Sequence, residues 1–406
     1  MGHGKEKIGH NIKDMNVQTV EQPIGDNVPY GTGYAVMAAE NYIDDEEMVL
    51  ILCADGPLIR KETIIDFMKY HFENNCAASI MTADLNNPKG YGRIVRNTDK
   101  SIDKIVEEKD ASEEIKNIKE INTGIYCFKG ELLKYALKKI TTDNSSNEYY
   151  LTDTIKVLNN EGAKIGGWLL MEPDDIKAVN DRVQLAEVTK IMQKRINQRH
   201  MYSGVTIIDP DNTYIDDTVK IGRDTVIYPN TYLEEGTVIG DHCTIGPSTR
   251  IVNTTVRNNV TVESSKVIES YIDDGTCVGP FAFLRPGSNL GKNVKIGDFV
   301  EVKKSNIGDN SKSSHLAYIG DAEVGEHVNI GCGVVFVNYD GKNKHKTIVG
   351  DGAFVGSNSN LIAPVTVEKG GYVAAGSTIT ENVKEGDLAI ARARQVNKEG
   401  KGKNRF

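Results

Sequence analysis

The second half of the chain repeats one aliphatic residue every six positions, and few folds accommodate such a period. The three runs are Ile215, Ile221, Ile227, Leu233, Ile239, Ile245 and Ile251; Ile272, Val278, Leu284, Leu290, Ile296 and Val302; and Val349, Val355, Leu361, Val367, Val373 and Ile379. This period predicts short flat strands, three to a triangular coil, with the aliphatic side chain inward and a small residue or glycine at the corner. We therefore expect a parallel β-helix prism over residues 204–390.

The six-residue period fails around His315. Ile307 follows Val302 after five residues, Ser313 takes the next inward position, and a second five-residue step precedes Val324. A serine in an aliphatic position gives up about 1 to 3 kcal/mol of burial. Because local sequence rules fail most often at functional sites, the break predicts a site there. The segment "FVNYDGKNKHK" also interrupts the repeat and predicts a protruding loop.

A base, several cations and several amides cluster near the break. They are Arg285, Lys303, His315, Tyr318, Asn329, Asn338, Tyr339 and Lys344. Such residues suit the binding of a sugar phosphate and the deprotonation of an amine. Taken singly, His315 could also be a structural histidine and the cations surface charges. A zinc site is the third interpretation, but the chain offers no close histidine pair among His315, His327 and His345.

The first half of the chain alternates apolar runs with helical patterns. "EMVLILCADGPLI", "KETIIDFMKYHFENN" and "CAASIMTADL" follow one another, which predicts βα units around a mostly parallel sheet. "MVLILCAD" does not alternate, so we expect a strand covered on both faces. From Asp181 to about His200, the spacing of Leu185, Val188, Met192 and Ile196 predicts a helix. The predicted segments are 1–183 (α/β domain), 184–203 (helical linker), 204–390 (prism) and 391–406 (tail).

Two short motifs in the first half indicate a phosphate site. "PYGTGYAV" is a glycine turn before a helical stretch, and "LCADGPL" places Asp55 at the end of an apolar strand. Together they fit a ligand site at the carboxyl ends of strands. A carboxylate there is suited to hold Mg²⁺ together with substrate phosphates.

Charge and composition exclude several classes of protein. The net charge of −9 argues against nucleic acid as the main partner, and only the tail "KEGKGKNRF" is basic. No apolar run reaches the length of a membrane span and no signal peptide opens the chain, so we expect a cytoplasmic protein without a membrane partner. Six dispersed cysteines lack zinc-finger spacing, which predicts reduced and mostly buried thiols.

The motifs in sequence order resemble one family. "GTG", "ADGPL", "GYGRI", "INTGI" and "AVNDR" are followed by "GPFAFLRPG", "GDFVEVKKS", "HLAYIGDAEVGEHVNIG", "NYDGKNKHKT", "GSNSNLIAPV" and "AAGSTIT". Over nearly the whole chain they resemble the bacterial bifunctional N-acetylglucosamine-1-phosphate uridylyltransferases and glucosamine-1-phosphate N-acetyltransferases. The resemblance implies a Rossmann-like α/β nucleotidyltransferase domain, then a left-handed parallel β-helix of hexapeptide repeats.

The resemblance also implies roles for individual residues. The nucleotide sugar would contact Gln22, Gly31, Thr32, Cys53, Ala54, Asp55, Gly92, Glu107, Asn122 and Asn180, with Mg²⁺ on Asp55 and Asn180. In the prism His315 would be the general base, with Arg285, Lys303 and Lys344 on the sugar phosphate and Tyr318 and Asn329 on the sugar. Acetyl-CoA would contact Cys332, Asn338, Tyr339, Ser357, Ala375 and Arg392.

The resemblance departs from the family at the start of the chain. The glycine-rich loop "LAAG-GTRM" of the family is not found, and no strand precedes "GHGKEK" at residues 2–7. We expect a first domain that lacks one βα unit and part of the next. Uridylyl transfer should then be impaired, because it depends on positioning and on charge stabilisation.

Three hypotheses follow. The first is an acetyltransferase that uses acetyl-CoA and glucosamine-1-phosphate, with impaired transfer from UTP to N-acetylglucosamine-1-phosphate. The second is a sugar-1-phosphate nucleotidyltransferase whose β-helix is purely structural. The third is a non-catalytic scaffold. The resemblance also implies a homotrimer.

Overall fold

The computed structural model describes residues 5–23, 25 and 28–402. The chain divides into two compact units, Met1–Thr189 and Lys190–Phe406. Residues 2–4 of "GHGKEK" and the last four residues of the basic tail lie outside the described residues.

The first unit combines short helices with one sheet. The α-helices in the described residues are α1 (Lys5–Asn11), α2 (Thr32–Met37), α3 (Lys61–Glu73), α4 (Glu113–Lys116), α5 (Gly130–Leu137), α6 (Asp153–Asn160) and α7 (Arg182–Tyr202). The strands of the first sheet are β1 (Met48–Ile51), β2 (Ala78–Asp84), β3 (Arg93–Arg96), β4 (Ile102–Val106), β5 (Glu120–Lys129) and β6 (Ile165–Leu170).

The sheet is mixed, so the prediction of a mostly parallel sheet is wrong. Its order is β4-β3-β5-β2-β6, and β1 also pairs with β5. β5 runs antiparallel to β1, β2 and β3, whereas β2 and β6 are parallel. The βα alternation in the sequence is real, but β5 lies between β1 and β2. Apolar periodicity carries no information on strand direction, which the connections decide.

The strand predicted from "MVLILCAD" is shorter and more exposed than expected. β1 has four residues and none is buried; Met48 is 37% and Leu52 42% exposed. In the described part of the chain β5 is its one hydrogen-bonded neighbour, so its other edge has no strand to cover it. The buried strands are instead β2 and β5, where Ile80 and Phe128 are inaccessible to solvent.

Helix α7 occupies the stretch where the sequence predicts a helix. Val188 and Ile196 are each 6% exposed, and Met192 packs on a core, but Leu185 is 41% exposed, contrary to its predicted place on the apolar side. Within the second unit, the side-chain amide of Asn197 donates to the carbonyls of Pro210 (2.8 Å) and Thr213 (3.0 Å). These bonds, with Ile196, fix the end of the helix on the first coil.

The second unit is a parallel β-solenoid. Its strands are β7 (Thr206–Ile207), β8 (Thr213–Ile215), β9 (Lys220–Ile221), β10 (Val226–Ile227), β11 (Thr231–Glu234), β12 (Val238–Ile239), β13 (Thr244–Ile245), β14 (Arg250–Val252), β15 (Thr255–Val256), β16 (Thr261–Val262), β17 (Lys266–Ile268), β18 (Tyr271–Ile272), β19 (Cys277–Val278), β20 (Phe283–Leu284), β21 (Asn289–Leu290), β22 (Lys295–Lys303), β23 (Asn306–Ile307), β24 (Lys312–Gly320), β25 (Ala322–Val324), β26 (Asn329–Ile330), β27 (Val335–Val337), β28 (Thr347–Val349), β29 (Phe354–Val355), β30 (Asn360–Ile362), β31 (Val365–Val367), β32 (Tyr372–Val373), β33 (Thr378–Ile379) and β34 (Leu388–Ala389).

The inward positions predicted from the repeat are confirmed. Ile227 pairs with Ile245, 18 residues later, so one coil contains three hexapeptides. All the predicted aliphatic residues except the half-buried Ile221 are at most 5% exposed. Ser313 is also inward, at 1% exposed, in register with Ile296. The aliphatic residues therefore stack into one continuous core along the axis.

The expectation of glycine at the corners is confirmed only in part: Gly333 (φ 74°) and Gly376 (φ 71°) form corners, but the glycines that directly follow an inward aliphatic residue do not. Most corners are formed by residues other than glycine with positive φ, for example Asn253 (φ 43°). Gly240, which follows the inward Ile239, lies instead against the next coil. A Cβ built there would be 2.8 Å from the backbone carbon of Arg257, so glycine is needed for the close stacking of coils.

Two long strands mark the predicted break in the repeat. Most solenoid strands have two to four residues, whereas β22 and β24 have nine each and continue across a corner. They pair in parallel from Lys295↔Lys312 to Lys303↔Gly320. In this way they join two faces of the prism, while the third face is a separate nine-stranded sheet.

The cysteine prediction is half right. All six cysteines are free, but Cys53, Cys277 and Cys332 are exposed, so the thiols are not mostly buried. Of the helices in the described residues, none is long and apolar enough to cross a membrane.

Candidate functional site

His315 lies on the outside of the solenoid, where β24 passes β22. Its imidazole is 62% exposed, and its Nδ1 lies 2.5 Å from the carboxylate of Asp298. The two residues are direct register partners, so the backbone fixes this pairing. The hydrogen bond from His315 lowers the pKa of the Asp298 carboxyl. With Nδ1 occupied in this way, Nε2 is the ring nitrogen left for another partner.

A column of predicted acetyl-CoA contacts continues from His315 toward the end of the chain. The amide of Gly333 donates to the carbonyl of Leu316, and that of Asn358 donates to the carbonyl of Cys332 (2.7 Å). In the same way Gly376 donates to the carbonyl of Ser357 (2.8 Å). Cys332, Ser357 and Ala375 therefore occupy consecutive coils.

The column is open to solvent along its length. Cys332, Ser357 and Ala375 are all exposed, and so is Arg392 near its end, whose Cδ would lie 3.8 Å from a Cβ built at Gly376. Small side chains and glycines leave a long shallow surface. Such a surface suits an extended ligand that contacts main-chain atoms.

Two lysines converge beyond the corner formed at Leu316. Lys303, at the end of β22, is 7% exposed, and its Nζ lies 3.3 Å from the carboxylate of Asp321. Lys344, from the loop between β27 and β28, lies beside Lys303. The Asp321 carboxylate raises the pKa of Lys303, whereas the neighbouring Lys303 ammonium lowers that of Lys344.

This lysine cluster, which we define as Lys303, Tyr318, Asp321, Asn338 and Lys344, carries excess positive charge. The amide of Asn338 contacts both the Asp321 carboxylate (2.5 Å) and the Tyr318 hydroxyl (3.4 Å). One carboxylate thus faces two ammonium groups. Two like charges held together are unfavourable without a counter-ion, so the cluster is suited to bind an anion.

The loop that carries Lys344 is ordered by its own hydrogen bonds. Val324 pairs with Val349, 25 residues later, so this coil contains the insertion that the sequence predicted. Asp340 accepts hydrogen bonds from the amides of Asn343 and Lys342 (2.7 Å each) and lies 2.7 Å from Nε2 of His345. These contacts lower the pKa of Asp340 and hold the loop closed.

Three predicted residues lie outside this cluster. Arg285 pairs with Glu301 (2.9 Å), which is the register neighbour of Tyr318. Asn329 lies in β26, and in the described part of the chain no hydrogen bond joins it to the lysine cluster. Tyr339 is 55% exposed and donates to the carbonyl of Gly341 (2.7 Å). The structure therefore places the base and the coil column on one stretch of the solenoid and the lysines just beyond its corner, with Arg285, Asn329 and Tyr339 outside the lysine cluster.

In the first unit, the predicted metal residues share one cavity. A cavity of 330 Å³ is lined by Cys53, Asp55, Thr123 and Asn180, among others. The amide of Val179 donates to the carbonyl of Asp55 (2.9 Å), which joins the two segments directly. Asp55 and Asn180 thus line one cavity, and a carboxylate with an amide oxygen is a donor set that suits Mg²⁺ held with substrate phosphates. Among residues 5–23, 25 and 28–402, no group of three or more His, Cys, Asp or Glu is placed to hold a metal ion.

A second group of predicted residues surrounds the start of β3. The amide of Asn122 donates to the carbonyl of Gly92 (2.9 Å), and a Cβ at Gly92 would come within 3.4 Å of the Glu107 carboxylate. Burial raises the pKa of Glu107, whose Oε1 accepts from Thr152. A glycine here leaves room for a ligand beside the carboxylate.

The "GTG" turn has structural contacts of its own. Gly31 has φ 119°, and a Cβ there would clash with the backbone of Tyr149. The hydroxyl of Thr32 accepts from the amide of Leu151 (3.1 Å). Gln22 and Ala54 are described but do not line the cavity.

Sequence reasoning missed three acidic residues. Asp298 contacts the base, Asp321 holds Lys303 and Asn338, and Glu301 holds Arg285. Each lies one coil from its partner, at a separation of 16 to 18 residues. Counting one coil back or forward from each candidate residue would have found them.

Comparisons with known proteins agree with both halves of this arrangement. A nucleotidyl transferase family model matches residues 3–169, and a bacterial transferase hexapeptide model of six repeats matches residues 218–253. Bifunctional protein GlmU of Alkaliphilus metalliredigens is 53% identical over 400 residues, covering 98% of this chain and 87% of the relative. The protein of the same name from Acetivibrio thermocellus is 57% identical, covering 97% and 86%. That of Clostridioides difficile is 54% identical over 370 residues, covering 91% and 81%.

The chain belongs to the bifunctional GlmU family. This membership confirms the predicted family and the predicted order of a nucleotidyltransferase domain and a hexapeptide β-solenoid. It also confirms the predicted enzyme class, a bifunctional acetyltransferase and uridylyltransferase. A GlmU-type nucleotidyltransferase is consistent with metal-dependent catalysis. The impairment of uridylyl transfer and the roles of individual residues stay predictions.

Proposed function

We propose that the second unit transfers the acetyl group of acetyl-CoA to the amine of glucosamine-1-phosphate, with His315 as general base. The observation that carries this proposal is the position of His315, between an exposed column of small residues on one side and the lysine cluster on the other. The column is suited to acetyl-CoA and the cluster to the phosphate of the sugar. The base would then face the amine where the two ligands meet.

The reaction follows from these positions. Glucosamine-1-phosphate carries an ammonium group at neutral pH, which loses one proton to solvent before it can attack. The amine nitrogen then forms a bond to the thioester carbonyl carbon, and Nε2 of His315 accepts the second proton. The C–S bond breaks, and the departing CoA thiolate takes up the proton held on Nε2 of His315, which regenerates the neutral imidazole. Lys303 and Lys344 contribute by holding the phosphate, so that the amine and thioester react as if they were one molecule.

Substitution of His315 tests this proposal. We expect His315→Gln to lower kcat for acetyl transfer by at least about 10²-fold, because general base catalysis contributes that much. Release of CoA thiol measures the rate. His327→Asn is the matched control, since His327 is exposed and has φ 55°, which asparagine tolerates. An unchanged rate in His315→Gln rules out the assigned role.

The cavity of the first unit supports the second activity. We propose that it binds UTP and N-acetylglucosamine-1-phosphate, with Asp55 and Asn180 as ligands of Mg²⁺. The metal would neutralise charge on the triphosphate during uridylyl transfer. Asp55 and Asn180 would hold the metal. Gly92, Glu107 and Asn122 lie close enough to one another to contact the sugar together. A purely structural β-solenoid is less well supported, because a scaffold has no need of paired lysines or of an exposed histidine.

The oligomeric state and location belong to the same proposal. We propose a homotrimer, because hexapeptide solenoids favour trimers. We also propose that the protein acts in the cytoplasm. Asn329, which lies apart from the lysine cluster within one chain, would then reach a sugar bound between two subunits. Light scattering should give three times the chain mass of 44.6 kDa.

A further inference from the structure

The carboxylate of Asp298 is paired with His315 in a way that neither the repeat nor the fold requires. Asp298 lies in β22 and His315 in β24, and the parallel register places the two directly opposite each other. Their side chains meet at 2.5 Å, and in the described residues no other side chain forms a hydrogen bond with either. Other register partners on the solenoid also join their side chains, as Asn289 and Asn306 do (2.8 Å). What sets Asp298 apart is that its partner atom is Nδ1 of the proposed base.

We propose that Asp298 is the positioning residue for the general base. By accepting the Nδ1–H of His315, its carboxylate holds the imidazole in the tautomer whose Nε2 is free to accept a proton. It also fixes the ring plane and stabilises the imidazolium that forms when the amine is deprotonated. The Nδ1 proton stays on His315 throughout, and no proton moves to Asp298.

The surroundings leave Asp298 as the dominant charge at His315. On β22, Lys295 lies three residues before Asp298 and contributes to lowering the pKa of that carboxyl. On the other side the next coil carries Cys332, two residues beyond the Ser313↔Ile330 pair, with an exposed thiol. Arg285, Glu301 and the lysine cluster lie beyond the corner at Phe299 and Leu316. One carboxylate therefore sets the electrostatics of the base.

This inference rests on the proposed function only for its effect on rate, because the pairing can be measured without turnover. In the full chain, carbethoxylation of His315 by diethyl pyrocarbonate reports the neutral imidazole, and peptide mass spectrometry isolates this one histidine. In Asp298→Asn we expect the midpoint of this reaction to move to lower pH by about one unit, because the imidazolium loses its counter-charge. The acid limb of the pH–rate profile for acetyl transfer should also move to lower pH.

The rate gives the second readout. We expect Asp298→Asn to lower kcat about 10- to 100-fold, as losses of such supporting contacts do, with a change below about twofold in KM for glucosamine-1-phosphate. Asp298→Glu should recover part of both the rate and the midpoint. Glu263→Gln removes an exposed carboxylate elsewhere on the solenoid and should change neither. Asp298→Ser replaces the asparagine variant if circular dichroism shows that the latter does not fold.

The outcomes separate the two proposals. An unchanged midpoint in Asp298→Asn overturns the role of Asp298, whatever the rate. A shifted midpoint in a protein that transfers no acetyl group supports the pairing and contradicts the proposed function. A shifted midpoint with a rate equal to that of the parent also overturns the positioning role, since the base would then work without its partner.

Discussion

At the scale of single residues, the lysine cluster combines a buried lysine and an exposed lysine in one anion site. Lys303 is almost buried and held by Asp321, so its ammonium is fixed in place. Lys344 comes from a loop and is exposed, and its neighbour lowers its pKa. A dianionic phosphate would relieve the repulsion between the two ammonium groups.

Removal of Lys344 should therefore weaken the binding of glucosamine-1-phosphate more than it slows the acetyl-transfer step. We expect Lys344→Ala to raise KM for glucosamine-1-phosphate about tenfold with a smaller change in kcat, because a charged hydrogen bond to the phosphate is lost. Steady-state kinetics measures both constants. Lys342→Ala is the control, since Lys342 lies in the same loop and is also exposed. Equal effects in both variants would mean that loop charge, and not this contact, sets KM.

At the scale of elements, β22 and β24 carry the proposed catalytic side chains and also form part of the solenoid core. Their nine residues cross a corner without interruption, which allows Asp298 and His315 to face each other outside while Ser313 faces the core. Ser313 is 1% exposed, and its Oγ has no hydrogen-bond partner among the described residues. The strand thus keeps an unsatisfied hydroxyl inside the prism.

Replacement of that hydroxyl should stabilise the solenoid. We expect Ser313→Ala to raise the free energy of unfolding by about 1 kcal/mol, because an unpaired buried polar group is removed. Urea unfolding followed by circular dichroism measures it. Ser305→Ala is the matched control with the opposite sign: its Oγ donates to the carbonyl of Lys303 (2.8 Å) and accepts from the amide of Ala322 (3.0 Å). A loss of stability in Ser313→Ala would contradict this expectation.

At the scale of the whole molecule, the two compact units separate the two chemistries. Every residue proposed for acetyl transfer lies in the second unit, and every residue proposed for uridylyl transfer lies in the first. Each unit has its own apolar core. A substitution in one active site should therefore leave the other activity intact.

The variant Asp55→Asn tests this independence. We expect it to lower Mg²⁺-dependent UTP turnover at least about tenfold, since the metal loses its carboxylate, and to change acetyl transfer less than about twofold. Calorimetry with Mg²⁺ and UDP-N-acetylglucosamine gives a readout if turnover is weak. Asp66→Asn, an exposed carboxylate on α3, is the control. A parallel fall in acetyl transfer would show that the two sites are coupled.

The limits of sequence reasoning are clearest in the first unit. The apolar runs predicted β1 and β2. They did not predict that β5 lies antiparallel between them, because that pairing joins segments far apart in the sequence. The exposure of β1 likewise depends on which strands lie beside it. In the second unit the period predicted the buried positions, because each coil repeats the same local geometry.

The sequence by itself determined the solenoid, its inward residues and the place where its repeat fails, since these depend on short-range periodicity. The motifs were sufficient to predict the family and the candidate base. Only the tertiary structure decided that Asp298 faces His315, that Lys344 reaches Lys303 and that Asp321 supports both Lys303 and Asn338. These pairs lie one or more coils apart: the period gives the spacing of the coils, but which side chains meet across it depends on how each side chain is oriented in the folded chain.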